Sequence, residues 1–164
     1  MVQTASGTEF EQLFDRYNTM LFRIAYARTQ SRSDAEDIVQ ETWVRYFRNT
    51  PELESEEHRK AWLLRVCVNC ANSFLTSAWR RHSAPLDDTL PGGDSPETDR
   101  TDILRAVGSL PDKYRTVVHL FYYEDLSVRE IAEIVGSREA AVKTQLHRAR
   151  QMLKEKLGGE YDDL

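Results

Sequence analysis

The sequence predicts an all-α fold of two small helical domains joined by a flexible acidic linker, and three observations predict it. Apolar residues recur at helical spacing through most of the 164-residue chain. No alternating apolar and polar run bounded by hairpin turns appears. Residues 83–100, SAPLDDTLPGGDSPETDR, hold three of the five prolines, the Gly92-Gly93 pair and a net charge of −4. Such a stretch should stay extended and self-repelling. Domains are expected at 8–82 and 101–158.

A composition of 40% hydrophobic and 30% charged residues suits a soluble globular protein. No stretch approaches the roughly 20 uncharged apolar residues that cross a bilayer, and the start, MVQTASGTEF, lacks a signal-peptide core. A cytoplasmic protein without direct membrane insertion is expected.

In the first domain, Phe10, Leu13, Phe14, Tyr17, Leu21, Ile24 and Ala25 imply one buried helical stripe. Ser33 followed by Glu36 reads as a capping box, with Asp34 and Asp37 where the helix dipole favours negative charge. Ile38, Val39, Thr42, Trp43, Tyr46 and Phe47 then face inward, and Asn49-Thr50-Pro51 ends the helix. A third helix from about Glu57 to His82 takes Trp62, Leu63, Val66, Cys67, Cys70 and Phe74 as core positions.

The only two cysteines, Cys67 and Cys70, form a C-x-x-C. No second pair accompanies them, so they read as small buried hydrophobes rather than a metal or redox site. No cofactor or metal is expected. An enzyme using them with a histidine would need an acid–base pair that the sequence does not offer, so the chain is read as no enzyme.

The second domain begins at Leu110-Pro111-Asp112, with proline in the first helical turn, and Val117, Val118, Leu120 and Phe121 as its apolar face. Ser127 and Glu130 form a capping box for a short helix with Ile131, Ala132 and Val135 inside. Gly136 ends that helix by taking a positive φ. Ser137 then caps a longer helix with Ala141, Val142, Leu146, Ala149 and Leu153 buried. Short helix, glycine turn and longer basic helix make a helix-turn-helix, whose second helix suits a DNA major groove.

The overall charge of −5 hides two basic islands, +5 over 59–81 and +4 over 138–156. Phosphate binding calls for such islands, although solvated helix faces look the same on charge alone. On the last helix Lys143, Thr144, Gln145, His147 and Arg148 lie off the apolar stripe, with Arg138 before them. These residue types pair with guanine and adenine edges. Arg150 and Lys154 are better placed as phosphate clamps. A helix-turn-helix dimer that binds duplex operators unaided is the alternative reading of this part of the chain.

Three runs, DAEDIVQETWVRYF (34–47), AWLLRVCVNCANSFLTSAWRRH (61–82) and the run from Leu110 to Leu157, resemble extracytoplasmic-function sigma factors of the bacterial sigma-70 family. The resemblance implies a sigma region 2 domain, a linker and a sigma region 4 domain. It implies core RNA polymerase, at its clamp coiled coil and flap, and promoter DNA as partners, and an anti-sigma factor, often membrane-anchored in such families. By the same resemblance Asp37, Gln40 and Glu41 contact polymerase. Asn69, Asn72, Ser73 and Thr76 read the minus-ten element as a single strand, with Arg80 and Arg81 on its phosphates. On chemistry alone Asn69 fits a satisfied structural asparagine equally well. Arg138, Lys143, Thr144, Gln145, His147 and Arg148 read the minus-thirty-five duplex. Ala140-Ala141, Gln145 and Ser73 depart from the residues common in the family, so a distinct promoter preference is expected.

Overall fold

The computed structural model describes residues 7–49, 52–81 and 98–158, and their side chains except at 7, 8, 78–81 and 98–101. They form seven α-helices and one π-helical turn: α1 (Gly7–Thr29), α2 (Arg32–Asn49), α3 (Glu56–Arg81), α4 (Thr98–Gly108), α5 (Asp112–Val118), the π turn (His119–Tyr123), α6 (Val128–Val135) and α7 (Glu139–Leu157). No strand occurs among the described residues, in keeping with the all-α expectation. Most of the acidic stretch, residues 83–97, lies outside them.

Leu21, Ile24, Ile38, Leu63, Leu64 and Cys67 sit wholly buried where α1, α2 and α3 meet, each large aliphatic contributing about 1.5–3 kcal/mol. The start of α2 differs from expectation. Ser31 rather than Ser33 caps it, its Oγ accepting from the Asp34 amide at 3.3 Å. The chain has already turned at Gln30, whose φ is 58°. Ser55 caps α3 by accepting from the His58 amide at 3.0 Å.

Two aromatics expected inside are not. Phe14 is 36% and Phe47 50% exposed. Their rings lean on Trp43 at 5.7 Å and Phe10 at 5.0 Å respectively, so the aromatic stripe outruns the three-helix core and forms a rim.

In the second unit α4 begins at Thr98, so Thr98, Asp99 and Arg100 belong to a helix and not to the expected linker. Burial explains it: Ala106, and Leu110 just beyond the helix, are covered against α5 and α7, and tertiary cover stabilises a helix whose first turn is polar. Pro111 stands at the N-cap of α5, one residue before the expected place, its carbonyl accepting from the Tyr114 and Arg115 amides. The π turn carries one extra residue per turn. His119 and Leu120 thereby stay inside while Tyr122 and Tyr123 face out.

Gly136 takes the left-handed φ of 74° that ends α6. Ser137 does not cap α7: its amide donates to Ala132 O at 3.0 Å, and Arg138 holds the N-cap position without a side-chain bond. Val142, Leu146, Ala149 and Leu153 are buried, whereas Ala141 is exposed, one position off that stripe.

The two units dock. Helix α6 lies against α3 and α5 against α1, and the buried residues of both form one continuous cluster.

Candidate nucleic-acid interface

Positions four, four and three apart share a helix face, and on α3 Arg65, Asn69, Ser73 and Thr76 follow that spacing and are all exposed. Arg65, which in the sequence counts only toward the basic island over 59–81, heads this row four residues before Asn69. Asn72 departs from the row. It is half-buried, and its Oδ1 accepts from Arg28 Nε at 3.0 Å and Arg28 Nη2 at 2.5 Å. Arg80 and Arg81 end α3, and their side chains lie outside the described residues.

The basic island on α3 is smaller than its charge suggests. Arg59 Nη1 contacts Glu56 Oε2 at 2.5 Å, and Lys60 Nζ lies 3.6 Å from Glu124 Oε1 of the second unit. Both cations thus serve ion pairs.

On α7, Lys143, Thr144, His147 and Arg148 are exposed, with Arg138 exposed just before the helix. Gln145 is half-buried and turns toward α3, lining the cleft that also holds Asn72 and Val68. Lys154 is exposed, and Arg150 already holds a contact within the unit. Its Nε donates to the Tyr122 hydroxyl at 2.7 Å, and its guanidinium lies over the Phe121 and Tyr122 rings. Arg150 therefore ties the π turn to α7.

On α2, Asp37 and Gln40 are exposed, while Glu41 is half-buried and pairs with Arg45 at 3.0 Å. Glu36 likewise faces Arg32 at 3.6 Å. Exposed pairs at this spacing contribute about 0.3–0.5 kcal/mol, so the face keeps its charged groups without a rigid network.

Cys67 and Cys70 are free and buried. Burial pushes the Cys67 thiol up to about 12 and raises Cys70 as well. Neither is a thiolate at neutral pH, which suits packing and not chemistry. Among the described residues no three His, Cys, Asp or Glu side chains gather as metal ligands, and no helix is long and apolar enough to cross a membrane.

Two exposed polar rows thus lie on separate helical units, one of them on the second helix of a helix-turn-helix. The profile for Sigma-70 region 2 matches residues 13–81 and that for Sigma-70, region 4 matches 100–153. The RNA polymerase sigma factor SigV of Bacillus subtilis (strain 168) is 32% identical over 143 residues, which are 85% of this chain and 85% of that protein. The chain belongs to the sigma-70 family, as an extracytoplasmic-function sigma factor. It acts in promoter-directed transcription initiation. The ECF RNA polymerase sigma-E factor of Haemophilus influenzae is 28% identical over 175 residues, covering 95% of this sigma factor and 91% of that one. Among solved structures, the sigma factor RpoE from Bartonella quintana, determined with the anti-sigma factor NepR, shares the fold at a TM-score of 0.78 and 23% identity, over 93% of this chain and 98% of that one. CnrH in complex with the cytosolic domain of CnrY does so at 0.65 and 24%, over 95% and 93%.

Proposed function

We propose that this sigma factor engages a promoter through two separate faces, one per unit, while core RNA polymerase supplies the chemistry. The units are assigned as 8–82 and 98–158, with 83–97 as the tether. The observation that carries the reading is the pair of exposed polar rows, Arg65, Asn69, Ser73 and Thr76 on α3 and Lys143, Thr144, His147 and Arg148 on α7.

A row of small polar and amide groups on one helix reads base edges only once bases leave the stack, so α3 is assigned the minus-ten strand. Asn72 joins it from the side, and Arg80 and Arg81 take backbone phosphates. A capped helix, a glycine turn and a basic helix place α7 in a duplex groove, so Arg138, Lys143, Thr144, Gln145, His147 and Arg148 are assigned the minus-thirty-five element. The uncapped start of α7 leaves amides suited to a phosphate. Asp37, Gln40 and Glu41 on α2 offer polymerase an acidic face, which suits a basic partner.

The protein is not itself a catalyst and needs no cofactor. It works in the cytoplasm. Its regulator is an anti-sigma factor, as RpoE has NepR, and a membrane anchor on that partner fits the family.

Run-off transcription with core polymerase on a genomic promoter library tests the assignment. The parent chain should select start sites. Lys143→Ala should lose preference for the upstream element and Asn69→Ala should lose opening at the downstream one. Unchanged transcript patterns from both variants overturn the residue roles.

A further inference from the structure

The docking of the two units rests on a small set of crossing side chains. Arg115 of α5 donates from Nε to the carbonyl of Ala27 at 2.5 Å, from Nη2 to that of Arg28 at 2.8 Å, and from Nη1 to Leu110 O at 2.6 Å within its own unit. Ala27 and Arg28 lie in the last turn of α1, where carbonyls lack helical partners and carry the negative end of the dipole. One planar guanidinium thus joins the end of α1 to the start of α5, using all three of its nitrogens.

Arg28 extends the joint. While two of its nitrogens hold Asn72 Oδ1, its Nη1 lies 3.0 Å from Asp112 Oδ2 of α5, at an angle that makes the contact coulombic rather than a hydrogen bond. Away from this joint, Lys60 faces Glu124.

This joint falls beside residues assigned to DNA. Asn72 of α3 and Gln145 of α7 line a single cleft between the units with Arg28, Val68 and Val135, and its volume is about 120 Å³. Both acceptor positions of Asn72 Oδ1 are already taken by Arg28.

We propose that the free sigma factor is self-latched: Arg115 on the α1 carbonyls, together with Arg28 between Asn72 and Asp112, holds the second unit on the first and masks Asn72 and Gln145 until the units part. The masking half rests on the DNA assignments above, whereas the latch itself does not. A charged guanidinium that completes two carbonyls is the contact whose loss should matter most, and removing it should raise the ratio of open to closed molecules by about tenfold or more.

The test uses the full chain with spin labels at Thr19→Cys and Gln151→Cys, both exposed and on different units, with the two buried native thiols left in place. Pulsed dipolar spectroscopy should give one short, narrow distance for the parent. Arg115→Met should add a long, broad component at unchanged helix content by circular dichroism, and Asp112→Asn should do so to a smaller extent. A parent chain already showing the long, broad distribution overturns the latch, as does an Asp112→Asn and Arg115→Met pair that leaves the short distance intact. Affinity of the free chain for promoter duplex should rise in Arg115→Met. An opened variant that binds duplex no more tightly overturns the masking, and the transcription test of Lys143 and Asn69 judges the assignments separately.

Discussion

Ser127 and Glu130 hold the start of α6 from both sides: the Ser127 hydroxyl accepts from the Glu130 amide at 3.1 Å, and the Glu130 carboxylate accepts from the Ser127 amide at 2.8 Å. The reciprocal bonds satisfy two amides that the helix itself cannot. Because α6 aims α7, the cap sets the helix-turn-helix geometry.

Ser127→Ala should therefore lower stability by about 1 kcal/mol, and Glu130→Gln, which keeps an acceptor at the same place, should lose less. Thermal unfolding followed by circular dichroism measures both. Equal losses in the two variants, or none in Ser127→Ala, would show that the cap does not hold the helix.

Glu124 joins the two units to pH. Its carboxyl is held below the usual carboxylate range by the His119 ring, whose Nε2 lies 3.7 Å away, and then by the Lys60 ammonium, against a burial effect that works the other way. A folded-state value below the unfolded one adds stability that is complete above the unfolded value of about 4.3 and is lost as pH falls through the folded value. Glu124→Gln should cost about 0.5–1 kcal/mol at pH 7, and that cost should shrink toward zero as the pH is brought below 4.3. Urea unfolding at several pH values reads it. A penalty independent of pH would assign the effect to packing alone.

Cys67 and Cys70 should resist alkylation in the native chain at pH 8, because burial withholds both access and thiolate. In denaturant both should react at once. Mass spectrometry after a timed iodoacetamide pulse separates the cases, and rapid native labelling of Cys67 would contradict its place in the core.

The helix-turn-helix was legible because its signals are local. A capping box at Ser127, a glycine at 136 and an apolar stripe from Val142 to Leu153 each state their own structure within a few residues. The same held for the long apolar helices of the first unit. What stayed illegible depends on distant partners. Helix α4 begins in a polar, proline-flanked stretch and exists because Ala106 and Leu110 find cover against α5 and, three helices on, α7. Ser33 with Glu36 reads as the cap of α2, and the turn at Gln30 starts the helix earlier, so that Ser31 caps it instead. Arg150 reads as a phosphate ligand, and only the π turn shows that its Nε also holds the Tyr122 hydroxyl. Gln145 looks like its neighbours on α7 until the facing unit supplies a cleft. The row on α3 is half visible: the family resemblance points to Asn69, Ser73 and Thr76, but the Arg28 that holds Asn72 comes from 44 positions earlier.

The bonds from Arg115 reach carbonyls 87 and 88 positions upstream. A contact so distant forms late, since the loop it closes must be ordered first and such closure slows folding. Each helical bundle should thus assemble independently and quickly, with their mutual seating as the final and slowest event. During synthesis the leading bundle will have matured before its arginine partner leaves the ribosome, leaving an interval in which it stands alone.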